Sequence, residues 1–181
     1  MSHTEAKHPV SAVLAGPYGH PFHPILVTVP IGAWVSALIF DISSHIVDNP
    51  GFLSQGAEWL IAIGVLGALA AAMVGFLDLF AIPAGTRAFR TALIHMSLNL
   101  AITGAYVGNF FWRHSTYTDG RAVPGGPLAL AVVSLAVLGV SGFLGGKLAY
   151  HYGVRVADEQ TQADGYSQDP TRAQHAARPT T

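Results

Sequence analysis

The stretch from Phe89 to Trp112, FRTALIHMSLNLAITGAYVGNFFW, constrains this chain more than any other, because it is long enough to cross a bilayer yet carries His95 and Asn99 inside it. Thr91, His95, Asn99 and Thr103 recur at every fourth position, so on a helix they form one polar stripe along an otherwise apolar cylinder. An imidazole or amide facing hydrocarbon has no hydrogen-bond partner, so the stripe is expected to face protein.

The rest of the chain agrees with a bilayer setting. Of 181 residues, 51% are hydrophobic and only 10% charged, a balance expected of an integral membrane protein in contact with lipid. Nine Lys and Arg against ten Asp and Glu, with no basic block, argue against a nucleic-acid partner. The absence of cysteine removes disulfides, thiolate metal sites, Cys-ligated iron–sulfur clusters and covalent haem attachment. Any metal or haem must then be held by other side chains, and nine histidines make imidazole the natural candidate.

Read in order, the chain predicts an all-α fold: a four-transmembrane-helix bundle, up-down-up-down, over residues 20–154, with spans at about 25–44, 58–82, 89–112 and 128–150. A flexible arm (1–19) precedes it and a polar, aperiodic tail (155–181), expected to be disordered, follows it. His23 stands between prolines at the first entry point, and Pro30 is expected to kink the first span. Asp41 and His45 are spaced to meet as an i,i+4 pair near the far end of that span. Gly64, Ala68, Ala71, Gly75 and Asp78 in the second span, and Ser134, Ser141, Gly142, Gly145 and Gly146 in the fourth, form small-residue seams for close helix approach, while Gly104 and Gly108 give the third span a GxxxG pair.

Lys7, Arg87, Arg90, Lys147 and Arg155 fall on one side of this topology, and Arg113 and Arg121 on the other, which places both termini in the cytoplasm. His23, Asp78, His95 and His151 then reach a similar depth from four different helices. Asp78 could hold a histidine by a charge-assisted hydrogen bond and fix its tautomer. Three histidines and an aspartate could bind a transition metal, or two histidines could clamp a haem b. Thr91, Asn99 and Asp41 complete the expected polar core. Gly75-Phe76-Leu77 and Gly142-Phe143-Leu144 match, and a parallel duplication of a helix pair would set His23 and His95 near a pseudo-two-fold axis.

His23-Pro24 followed by Pro30-Ile31-Gly32, Asp41, the Gly75-x-x-Asp78 step, His95 with Asn99, and Gly145-Gly146 through His151-x-Gly153-Val154 together resemble a bacterial family of small four-helix inner-membrane proteins known as domain of unknown function 2231. Some members resemble fusions to Rieske-type iron–sulfur domains. The resemblance therefore implies a redox association, an iron–sulfur or respiratory partner and a multi-pass place in the bacterial inner membrane. Without cysteine or a second domain, this chain would have to bring its own cofactor or borrow a partner's. The leading expectation is a redox-associated module with a haem b or metal site. The alternatives are a small transporter or proton-path subunit, assembled as a homo-oligomer, and a membrane scaffold. No nucleophile elbow, HExxH or paired-carboxylate spacing points to an enzyme, and no catalytic residue is assigned.

Overall fold

A computed structural model describes residues 5–114 and 119–166, all helical or irregular. Positions 1–4 of the expected arm, 115–118 of the Gly/Pro-rich loop and 167–181 of the expected tail lie outside the described residues.

A 3₁₀ turn at Glu5–Lys7 and a short helix α1 (Ala12–Ala15) lead to α2 (His23–Leu26) and α3 (Thr28–Ser43). These two are one apolar rod interrupted at Val27, one turn before Pro30, whose ring crowds the carbonyl of Leu26 and has no N–H to offer it. Then come α4 (Gly51–Phe80), α5 (Arg87–His114) and α6 (Gly125–Gly146), the last running into a π-helical turn at Lys147–His151, and finally α7 (Glu159–Asp164). Helix α4 starts seven residues before the expected Glu58, because Asp48-Asn49-Pro50 forms its entry and Leu53 and Ala57 are already buried.

His23–Ser43, Gly51–Phe80 and Gly125–His151 are each long and apolar enough to cross a membrane. At 28 residues α5 has similar length, about 42 Å at the helical rise, but it carries His95, Asn99, Thr103, Asn109 and Arg113 along its length. Large apolar side chains point outward along the whole bundle, among them Ile39, Trp59, Leu66, Met73, Phe76 and Phe143. In lipid such faces are solvated, so the helices are held by close packing and internal polar contacts rather than by hydrophobic exclusion.

Two antiparallel hairpins make up the bundle, α2/α3 with α4 and α5 with α6, and contacts of α4 with α5 and of α3 with α6 close it. Helices α3 and α5 lie diagonally across the centre, and residues of α2 and α3 meet residues of α5 there at a constant separation in sequence. Asp41 and Arg113, 72 positions apart, form a two-pronged ion pair at 2.8 and 2.9 Å. Trp34 and Tyr106, at the same separation, stack with ring centroids 4.1 Å apart and an 11° tilt. His23 and His95, again at that separation, meet edge to face at 6.3 Å.

The second helices repeat at a spacing of seventy. Trp34 donates to Ile61 O and Tyr106 to Ala131 O, each at 3.4 Å. The buried positions Ala57, Ile61, Gly64, Ala71 and Asp78 of α4 recur as Pro127, Ala131, Ser134, Ser141 and Leu148. The hairpins are thus related by an approximate two-fold axis between α3 and α5. The Gly-Phe-Leu match in the sequence is three residues out of this register. Gly75 corresponds to Gly145, and Gly142 has open space around its Cα.

At the end where the chain enters and leaves the bundle, the described parts of the arm (5–19) and of the tail (155–166) pack together. Arg155, assigned by sequence to a disordered tail, is 4% exposed. Its Nη2 donates to Ala15 O and Gly16 O at 2.9 and 2.8 Å, and its backbone N–H to Ala6 O at 2.9 Å. Gly16 has φ +89° at this junction, and a Cβ there would clash with His20 O. Asp158 caps α7 through Thr161 N–H and accepts from Tyr18 O–H at 2.9 Å. The Thr161 amide, then the Tyr18 hydroxyl, hold the Asp158 carboxyl below its usual range. A depressed native pKa stabilises above the unfolded value and is lost as pH falls through the native one. Acidification below pH 4 should therefore loosen the arm–tail junction, and Asp158→Asn should remove that step. Hydrogen exchange of the Thr161 amide, followed against pH in both proteins, checks this.

Candidate functional site: a histidine pair on the bundle axis

His23 opens α2 and His95 lies two turns into α5, so each enters from the first helix of its hairpin and reaches the second. His23 Nδ1 is 2.8 Å from Ala71 O, and His95 Nδ1 is 2.8 Å from Ser141 O. A carbonyl only accepts, so in each ring Nδ1 carries the proton and the neutral ring's Nε2 keeps a free lone pair.

Glycine makes these bonds reachable. One turn beyond each carbonyl stands Gly75 or Gly145, and a Cβ would lie 2.9 Å from the His23 ring at the first and 3.1 Å from the His95 ring at the second. The backbone carbonyl already serves its own helix through one lone pair, and the imidazole takes the other. Asn99 braces the second ring. Its Nδ2 donates both protons at 2.8 Å, to His95 O and Ser141 Oγ, so its 3.2 Å approach to His95 Nε2 brings that nitrogen no proton. Thr103 Oγ1 bonds Asn99 O and extends the stripe inward, while Thr91 Oγ1 bonds Arg87 O within its own helix. The stripe faces α6 through His95 and Asn99, where Ser141 receives it.

The other expected members have different partners. Asp78 Oδ1 lies 2.8 Å from Arg155 Nε and ties the carboxylate to the C-terminal segment rather than to a histidine. His151 is exposed on the π-helical turn, with its ring against Tyr152 at 4.8 Å. Among the described residues no three of His, Cys, Asp and Glu converge on a point that would hold a metal ion. The structure thus joins His23 with His95 and leaves His151 and Asp78 apart from them.

The opposite end of the bundle holds a second polar group. Arg113 grips buried Asp41 and donates through Nε to Asn109 Oδ1 at 2.9 Å, while Asn109 donates to Pro127 O at 2.8 Å. His45, expected to pair with Asp41, is exposed. The Arg113 guanidinium is a stronger, bidentate partner, so it displaces the local i,i+4 contact. Buried Glu58 meets His114 Nδ1 at 2.7 Å. Sequence reasoning used Arg113 only as a topology marker and Glu58 as a helix start. An arginine and an aspartate at matched depths of two spans were the available signal.

A bundle with outward apolar faces and paired hairpins defines a helical membrane protein, with two histidines meeting on its axis. Residues 19–158 match the model of the family described as "Predicted membrane protein (DUF2231)", and the chain belongs to that family. No curated protein and no solved structure matches it.

Proposed function

We propose that this is a four-span, redox-associated protein of the bacterial inner membrane, with both termini cytoplasmic, whose His23–His95 pair holds a haem b or a transition-metal ion. The carrying observation is the 6.3 Å between ring centroids, with planes at 80°. At that separation both rings could reach one ion or one haem iron through their remaining Nε2 nitrogens, which would hold it between the two hairpins. Both rings have Nδ1 committed to a backbone carbonyl, the arrangement that orients metal-ligating imidazoles and raises their basicity.

Bound there, haem or a redox metal supplies a one-electron couple. The chain's own residues orient the ligands, through Ala71, Ser141 and Asn99, and hold the hairpins at the required spacing. Asp78, linked to Arg155, would secure the cytoplasmic closure beside the site rather than a ligand. An electron partner, iron–sulfur or respiratory, fits the absence of cysteine, and open space around Gly104 and Gly108 leaves room for a foreign helix or a second copy. A proton or solute path through His95, Asp78 and Asn99 has less support, because the Trp34–Tyr106 stack with Ile61 and Ile102 forms an apolar plug across the axis.

The two candidate partners of His95 are separated by substitution. His23→Ala should strip the cofactor from the purified protein, whereas His151→Ala should retain it at the wild-type level. The reverse pattern would place the second ligand on the π-helical turn and refute the axial pair.

A further inference from the structure

Across the axis, His23 of α2 and Trp34 and Asp41 of α3 face the residues 72 positions later in α5, and these counterparts differ in how they would tolerate their own kind. A histidine can face a histidine and an aromatic ring an aromatic ring, so neither contact distinguishes one hairpin from the other. Asp41 and Arg113 do. Both are buried, at 0% and 4% side-chain exposure. Two first hairpins brought together would press carboxylate on carboxylate, and two second hairpins guanidinium on guanidinium, at a buried position.

We infer that the Asp41–Arg113 pair is the selectivity element of the hairpin interface: it makes a first hairpin accept only a second hairpin, and the surface it guards fits the second hairpin of another copy of this chain as well as that of its own. Complementary charge at a register-matched buried position specifies partners by penalising the wrong ones. In the wild-type chain the short connection between α4 and α5 keeps the correct partner at high local concentration, and pairing closes within one molecule.

Two differently tagged copies test this, one carrying Asp41→Arg and the other Arg113→Asp. Alone, each has like charges on its axis and should be recovered from membranes at a tenth of the wild-type level or less. Expressed together, the two should rescue each other by exchanging hairpins, giving a 1:1 complex that carries both tags and survives purification, with cross-tag recovery well above that of either variant with itself. Recovery of either variant alone as a monomer at the wild-type level would overturn the inference. So would failure of co-expression to raise recovery or to produce the cross-tagged complex.

Discussion

Replacing Asp41 with alanine is expected to destabilise the bundle by about 3–5 kcal/mol, the usual consequence of breaking a buried ion pair from one side. Arg113 is 4% exposed and loses both carboxylate bonds, keeping Asn109 Oδ1 for its Nε. Its guanidinium then remains in a low-dielectric site without the Asp41 carboxylate. Unfolding titrations in detergent micelles measure the effect. The paired replacement Asp41→Leu with Arg113→Met should recover most of the loss, because removing both charges removes the desolvation cost along with the attraction. If the paired replacement were as damaging as the single one, the pair would contribute net stability, and its role would not be limited to choosing partners.

His95→Ala is the second large effect, and it acts on ligand binding rather than on the fold. Its ring makes one strong hydrogen bond, to Ser141 O, and that carbonyl keeps its helical partner after substitution. Asn99 retains Ser141 Oγ and the backbone carbonyl of position 95. The loss of packing should therefore be modest, about 1–2 kcal/mol, while a cofactor held as proposed would lose one of its two protein ligands and fall to background occupancy. A folded, helical, cofactor-free His95→Ala protein is the expected outcome, checked by circular dichroism and cofactor analysis on one preparation.

The sequence made the membrane setting and the polar stripe legible because both depend on period and composition. His95 and Asn99 fall four apart on an apolar helix, and their inward direction follows from what hydrocarbon does to an unpaired amide. Which residues meet across the bundle depends on helix rotation, and rotation is set by packing that no single span encodes. Hence Asp78 reads in the sequence as a partner for a histidine, whereas Arg155, hidden in a polar and aperiodic stretch, takes it. Apolar tripeptides likewise put the repeat in the wrong register. Its true marks are scattered single residues, His23 with His95 and Gly75 with Gly145, joined by unlike pairs such as Trp34 with Tyr106 and Asp41 with Arg113. Unlike pairs are what an interface between two unequal halves requires, and they are invisible to a search for identity.

The central claim is that the axial histidines hold a cofactor, and the most direct measurement is the optical spectrum of the protein purified in mild detergent, oxidised and dithionite-reduced, with elemental analysis of the same sample. The account predicts close to one iron per chain with a Soret band that shifts and sharpens on reduction, or one equivalent of another transition metal without that band. A colourless, metal-free protein that also fails to take up added haem or metal would contradict it, and would make His23 and His95 a hydrogen-bonded pair whose work is to join the two hairpins.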